Sequence, residues 1–199
     1  MSNWLVGELG GEMFDWLTSE ENDAISMLKR DHDAVKALFE RFETAERRAE
    51  KQKIAKQAIE ELRIHSAIEE ELFYPAVREQ LKSAVMNEAD EEHHVAKVLI
   101  AELDAMNSDN DHFDAKFTVL AESVRHHIKE EENDMLPKAR DLQIDFQALG
   151  KKMERRREEL KAKGLPPTAE DAMIRKVRGR DDSPARAAHP RKTPVRVIK

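Results

Sequence analysis

Six side chains that can bind metal occupy positions where the surrounding helical pattern requires apolar residues. They are His32, His65, Glu69, His93, His127 and Glu131. One histidine on an apolar stripe is more often a hydrogen-bonded core residue than a ligand. Six together favour a metal site, because burying two carboxylates is costly unless a strong cation compensates. Neither His–Glu stripe supplies a lysine or arginine, whereas a bound metal stabilises both carboxylates and neutral imidazoles.

The spacing of these residues also favours a metal site. In two His–Glu pairs the residues are four positions apart, so both side chains of a pair project from one helix face. The pairs are His65 with Glu69 and His127 with Glu131. Four imidazoles and two carboxylates suit two metal ions, each with two histidines and with both carboxylates bridging. Such mixed ligation with open positions favours iron or manganese, and zinc or copper is not excluded by the donors alone.

Helices must position these residues, because glycine and proline are scarce between residues 20 and 145. Four apolar stripes with steps of three and four residues predict four amphipathic helices. The stripes are Ile25, Leu28, Val35, Phe39 and Phe42; Ile54, Ala58, Leu62 and Leu72; Met86, Ala89, Ala96, Ile100 and Leu103; and Phe113, Phe117, Leu120, Val124 and Met135. Pro75 and Pro137 should end or kink the second and fourth helices, since proline lacks a backbone donor.

The chain contains an internal duplication. Asp31-His32 and Lys36 match Glu92-His93 and Lys97, whereas His65, Glu69, Glu70 and Pro75 match His127, Glu131, Glu132 and Pro137. Two helical hairpins of one design predict an all-α, antiparallel up-down four-helix bundle.

The segments before and after the four helices complete the predicted division of the chain. We expect an N-terminal arm at residues 1–19, the bundle at 20–141, an additional helix at 142–163 and a disordered tail at 164–199. The additional helix follows from Phe146, Leu149, Met153 and Leu160, which share one face. The tail begins at a Gly-Leu-Pro-Pro sequence and is basic from residue 173 onward, which is typical of a solvated end.

Composition excludes several classes of protein. The chain of 199 residues has no cysteine, so disulfides, zinc–thiolate sites and iron–sulfur clusters are excluded. Residues 1–172 carry 25 basic and 39 acidic side chains, which argues against nucleic-acid binding. No signal peptide is recognisable, and no apolar run approaches the roughly 18 residues of a membrane span. We therefore expect a cytoplasmic protein that binds neither nucleic acid nor membrane.

The pattern His32 … His65-x3-Glu69 … His93 … His127-x3-Glu131 resembles the hemerythrin-like, HHE cation-binding family. The sequence from His65 to Pro75, HSAIEEELFYP, looks typical of that family. The resemblance covers about residues 22–140. It implies a hemerythrin-like four-helix bundle with two iron ions that share an oxo or hydroxo bridge. Such a centre can encounter O2 or its reduced products as ligands. Ferritin-type bundles use Glu-x-x-His and lone glutamates instead.

The chain departs from oxygen-carrying hemerythrins at two places. Those proteins have a fifth histidine four residues after the third-helix histidine, where this chain has Lys97. Their last carboxylate is an aspartate five residues after the final histidine, whereas Glu131 follows His127 by four. One metal would therefore be more open, or the missing ligand would be replaced by Glu70, Glu132 or Tyr74.

Three functions are compatible with this pattern. The first is a metal protein that binds O2 or a related small oxidant for sensing, storage or delivery. The second is an enzyme that consumes peroxide or nitric oxide, for which the motif shows no evident acid–base residues. The third is structural iron handling. His94 and His126 adjoin predicted ligands but fall off the stripes, so we interpret them as surface or supporting residues.

Overall fold

The computed structural model describes residues 23–106 and 109–181, with side chains given up to residue 177. The predicted N-terminal arm, residues 1–19, and the last part of the predicted tail, residues 182–199, lie outside the described residues. Among the described helices, none has the length and apolar character needed to cross a lipid bilayer.

Four antiparallel helices form the bundle. They are α1 (Ala24–Thr44); α2 (Arg48–Ile68), extended by a π-helical turn (Glu69–Phe73) and a last α turn (Tyr74–Val77); α3 (Ser83–Asp104); and α4 (Phe113–Glu130), extended in the same way by Glu131–Met135 and Leu136–Arg140. Each helix packs against the next, and α4 returns to α1. The predicted all-α, up-down four-helix bundle with an extra C-terminal helix is confirmed.

Two further helices cover the bundle. Helix α5 (Phe146–Lys163) packs on α1 and α2, as its apolar face predicts. Its N-terminus is capped by the Asp145 carboxylate, which accepts a hydrogen bond of 2.9 Å from the Ala148 amide. Helix α6 (Ala169–Asp181) packs on α3.

Helix α6 differs from the sequence-based expectation of a disordered tail from residue 164. The Asp171 carboxylate accepts a 2.8 Å hydrogen bond from the Thr168 amide, and the Thr168 hydroxyl accepts one of 3.2 Å from the Asp171 amide. Both Asp171 oxygens also bind the Arg63 guanidinium, at 2.6 and 2.8 Å. The capping residue Asp171 thus binds Arg63, which lies 108 residues earlier in the chain. The basic composition of the tail does not indicate this contact.

The apolar core consists of two parts. One contains residues such as Leu28, Ile68, Phe73, Met86 and Met153, and the other contains residues such as Phe39, Leu62, Ile100, Phe117 and Leu120. A layer of polar residues lies between them, at the middle of the bundle. The fold therefore holds a polar layer between two apolar clusters that pack it from both ends.

Each π-helical turn begins at a predicted bridging glutamate and ends just before a proline-containing turn. The Tyr74 amide donates to the Glu69 carbonyl, and the Leu136 amide donates to the Glu131 carbonyl, both five residues back. The wider turn keeps the proline ring away from the preceding carbonyls, so α2 continues past Pro75 to Val77 instead of ending there. It also brings the Tyr74 side chain to the polar layer. Five residues complete only slightly more than one π-helical turn, so Tyr74 lies on nearly the same face as Glu69.

The contacts of Asp171 predict how firmly α6 is attached. In Asp171→Asn the ion pair and the cap weaken, which together are worth about 1–2 kcal/mol. Amide hydrogen exchange in residues 169–177 should therefore accelerate about tenfold, while the buried turns of α1 and α4 remain protected.

Asp104→Asn is the matched control, because Asp104 binds the same Arg63 guanidinium at 2.8 Å but does not cap α6. Its exchange in α6 should stay close to that of the unmodified protein. Equal exchange in all three proteins would show that the Arg63–Asp171 contact does not hold α6.

Candidate metal centre

The structure brings all six predicted site residues together in the polar layer. Helix α1 supplies His32, α2 supplies His65 and Glu69, α3 supplies His93, and α4 supplies His127 and Glu131. All six are buried, with exposed fractions of 0 to 6%. The turns from which they project are fixed by apolar packing above and below the layer.

Each glutamate lies between a histidine of its own helix and one from another helix. The Glu69 Oε2 atom is 3.1 Å from His65 Nε2 and 3.3 Å from His93 Nε2. The Glu131 Oε2 atom is 3.2 Å from His32 Nε2 and 3.5 Å from His127 Nε2. Each carboxylate would therefore lie beside a metal ion held by either of the two imidazoles that it faces.

Several of these inward atoms lack a hydrogen-bond partner among the described residues. They are His32 Nε2, His65 Nε2, Glu69 Oε1 and Oε2, and Glu131 Oε2. A buried polar atom left unpaired costs about 1–3 kcal/mol, so a cluster of five demands an explanation. In addition, His93 Nε2 and His127 Nε2 approach within 3.1 Å, where the lone pairs of two neutral imidazoles would repel unless a proton or a cation lies between them. Bound cations would satisfy these inward atoms.

The donor atoms form two groups, each compact enough for one ion. The first is His32, His65, Glu69 and Glu131, and the second is Glu69, His93 and His127; within each group the donor atoms lie within 4.8 Å of one another. Glu69 belongs to both groups. The residues present are therefore able to hold metal with nitrogen and oxygen ligands.

In each of the four buried histidines, the Nδ1 atom faces a carboxylate from a different helix. The Nδ1 atoms of His32, His65, His93 and His127 lie 3.0, 3.3, 2.9 and 2.8 Å from Glu132, Asp31, Glu70 and Glu92, respectively. A carboxylate at Nδ1 fixes the ring orientation and the tautomer, leaving Nε2 as the donor to a metal.

Sequence reasoning missed this role of the four outer carboxylates. Each is adjacent in sequence to a predicted ligand, and the internal duplication relates Asp31 to Glu92 and Glu70 to Glu132. Their position next to the predicted ligands was the sequence feature that could have indicated this role. Because Glu70 and Glu132 bind Nδ1 atoms, the structure does not place them as replacements for the fifth histidine of oxygen carriers.

Basic residues bind the outer carboxylates in turn. The Lys97 ammonium is 2.5 Å from Glu70, and the Lys36 ammonium, its counterpart in the duplication, is 3.4 Å from Glu132. The Arg157 guanidinium of α5 binds Asp31. Lys97 therefore faces away from the inward nitrogen atoms, although it occupies the position of the fifth histidine.

The Tyr74 hydroxyl lies in the polar layer instead. It donates a 2.9 Å hydrogen bond to Glu131 Oε1 and lies 3.2 Å from His93 Nε2. Burial, together with the charges of Glu69 and Glu131, raises the pKa of Tyr74 well above its usual value. The phenol therefore keeps its proton in the metal-free protein. Of the three replacements considered from the sequence, only Tyr74 reaches the inward face.

Without a metal, protons take part of its place. Burial opposes charge on the histidines, but the Glu69 carboxylate outweighs it and raises the pKa of His65 to about 10. Contacts with Glu69 and Glu70 likewise raise the pKa of His93 to about 9 against the effect of burial. Burial also opposes the charge on Glu69, yet His65 and His93 keep the pKa of that carboxyl well below its usual range.

The two histidines next to predicted ligands lie at the surface, as expected. His94 Nδ1 is 2.8 Å from Glu170 on α6, and His126 Nε2 is 3.3 Å from Glu130. Neither side chain points into the polar layer, so the register predicted for α3 and α4 agrees with the structure.

Comparisons with known proteins identify the family of the chain and a similar fold. Residues 23–139 match the family model of the hemerythrin HHE cation binding domain. No protein with a curated description matches the chain. The fold is similar to the crystal structure of a Hemerythrin HHE cation binding domain-containing protein, the Rv2633c homolog from Mycobacterium kansasii. That similarity has a TM-score of 0.60 at 23% identity, covering 78% of this chain and 92% of the other.

The raised pKa values predict opposite pH dependences for metal-free and metal-loaded protein. The folded-state values of His65 and His93 lie above the unfolded value of 6.5. Their stabilisation is therefore complete below about pH 6.5 and is lost as the pH rises through 9 and 10. Chelator-treated protein should melt at falling temperatures between pH 7 and 10.

Metal-loaded protein should not lose stability over that range, because its imidazoles carry no exchangeable charge and protons no longer compete with the ion. His94→Gln, which changes an exposed histidine, should leave both melting profiles unaltered. A flat profile for the metal-free protein would contradict the proton-for-metal explanation.

Proposed function

This chain belongs to the hemerythrin HHE cation-binding domain family, and from that premise we propose that it holds two iron ions and binds O2 or a related small oxidant for sensing, storage or delivery. The ligands in this proposal are His32, His65, Glu69, His93, His127 and Glu131. The observation that carries it is the set of buried donor atoms that have no hydrogen-bond partner among the described residues.

The surrounding carboxylates favour iron that changes its oxidation state. When bound, a pair of iron ions supplies reversible electron transfer and open positions for a small ligand. The four outer carboxylates make the imidazoles stronger donors and add negative charge around the centre, which stabilises the more highly charged metal. Glu69 and Glu131 would bind the ions beside the histidines, because each carboxylate faces histidines of two helices.

A small cavity adjoins the polar layer. Its volume is about 20 Å³, and its walls include Val35, Leu62, Ala96 and Ile100 next to the histidines. That volume accommodates one or two molecules the size of water. Its largely apolar walls favour a small neutral molecule such as O2.

Tyr74 favours a second candidate function, the consumption of peroxide. Reduction of a peroxide to water needs two protons and two electrons. Two ferrous ions would supply the electrons, and the Tyr74 hydroxyl is a buried proton donor at Glu131 Oε1. This hydroxyl is the acid group that the sequence motif did not reveal.

Metal analysis tests the proposed centre. Protein from iron-supplemented cells should contain about two iron ions per chain, in line with the two donor groups. His65→Ala and Glu69→Ala should lose most of that metal and melt at a lower temperature, since buried groups are left unpaired.

His94→Ala is the matched control, because this histidine adjoins His93 but lies at the surface. It should keep the full metal content. A single tightly bound zinc ion in the unmodified protein, or no metal, would refute the proposal.

Tyr74→Phe separates the two candidate functions. The variant keeps the buried ring but removes the hydroxyl, so metal content should not change. If the protein consumes peroxide with Tyr74 as the acid, stopped-flow turnover should fall about a hundredfold. Equal turnover in both proteins would show that Tyr74 is not the acid. If the unmodified protein binds O2 but does not consume peroxide, the enzymatic function is refuted and the binding function remains.

A further inference from the structure

A second group of possible metal ligands lies outside the buried layer, between α3 and α4. It consists of Glu92, His126 and Glu130, whose donor atoms lie within 4.8 Å of one another. His126 Nε2 is 3.3 Å from Glu130 Oε1 and 3.7 Å from Glu92 Oε1. The His126 side chain is 62% exposed, so this outer cluster meets solvent directly.

Glu92 connects the outer cluster to the buried centre. Its Oε1 atom faces His126, whereas its Oε2 atom is 2.8 Å from Nδ1 of the buried His127. A cavity of about 320 Å³ adjoins the outer cluster, and its walls also include His127 and Glu131. Glu131 is only 1% exposed, and its Oε2 atom has no hydrogen-bond partner among the described residues. A buried carboxylate oxygen without a hydrogen-bond partner among the described residues therefore belongs to a residue that lines this cavity.

The internal duplication shows that this face is a departure from the common design. The positions of His126 and Glu130 correspond to Ile64 and Ile68, 62 residues earlier. Both isoleucines are buried in the apolar cluster that α5 covers. Of two faces related by the duplication, one is closed by apolar packing and the other carries an imidazole and carboxylates at an open cavity.

Charge around this cavity favours cations. Glu88 and Asp134 contribute further carboxylates to its walls, and Lys129 contributes an ammonium. Acidic walls raise the local concentration of cations and accelerate their capture. The buried ligands themselves are nearly inaccessible, so an ion must pass some opening between helices to reach them.

We propose that Glu92, His126 and Glu130 form an outer site that captures a divalent cation and passes it, along the cavity lined by His127 and Glu131, to the buried centre. This inference rests on the proposed metal centre, and Fe²⁺ is the cation under that proposal. One imidazole and two carboxylates suit Fe²⁺. Exposure and only three ligands keep the site weak, as a transfer site requires.

The rate of metal uptake tests this outer site. Metal-free full-length protein is mixed anaerobically with Fe²⁺, and loading is followed by stopped-flow through the protein fluorescence or a competing chelator dye. The variant is the double substitution His126→Ala and Glu130→Gln, which leaves the six buried ligands in place. Its loading should be slower by about tenfold or more, while its final content stays at two ions per chain.

Two variants control for general effects. Glu122→Gln removes the same charge from the exposed surface of α4, one turn before His126. His94→Ala removes another exposed histidine next to a ligand, one that faces Glu170 instead of this cavity. Each should load within about twofold of the unmodified protein, because neither residue belongs to the outer cluster.

The outcomes separate this inference from the proposed centre. If the double variant loads as fast as the unmodified protein, or if Glu122→Gln slows loading equally, the outer site is refuted and the buried centre stands. If the double variant cannot reach two ions at equilibrium, the cluster is part of the centre and not a transfer site. If the unmodified protein takes up no Fe²⁺, the proposed centre fails and the outer site with it.

Discussion

Two carboxylates and four imidazoles buried in one layer of a helical bundle impose the constraint on which the rest of the structure depends. Towards its centre, the layer presents donor atoms that have no hydrogen-bond partner among the described residues. Outward, every imidazole is held by a carboxylate, and three of those carboxylates are held by Lys36, Lys97 or Arg157. Six carboxylates thus face three basic side chains, and two divalent cations at the middle would offset the remaining negative charge.

This constraint also explains the two-part core. A polar layer weakens the apolar packing at the middle of the bundle, so the clusters above and below it must keep four helices in register. Helix α5 stabilises both an apolar cluster and the polar layer. Met153 packs in one cluster, and Arg157 binds Asp31 beside the layer. The packing of the two apolar clusters therefore compensates for the cost of burying the polar layer when it holds no cation.

The sequence predicted the bundle, the order of its helices and the six residues that meet, because apolar periodicity and the duplication report directly on which faces are buried. It did not predict the π-helical turns. Pro75 was expected to end or kink α2, yet the wider turn absorbs the proline and turns Tyr74 inward. Nor did it predict α6, whose Arg63–Asp171 contact joins distant parts of the chain. A π-helical turn is a local change that shifts the helical pattern by one residue, and a contact between segments far apart in sequence leaves no periodic pattern. Neither feature was therefore recognisable from the residues alone.

The duplication gives the layer an approximate two-fold symmetry, and the functional questions concern the places where that symmetry fails. Tyr74 corresponds to Leu136, so only one side of the layer has a phenol at its inward face. His126 and Glu130 correspond to buried isoleucines, so of these two related faces among the described residues one carries an acidic cavity and the other is closed by apolar packing. By contrast, Lys36 and Lys97 are equivalent and make equivalent contacts, which indicates that Lys97 is part of the common framework. A symmetric framework holds the ligands, and the asymmetric residues are therefore the ones that can distinguish the two metal positions in access and chemistry.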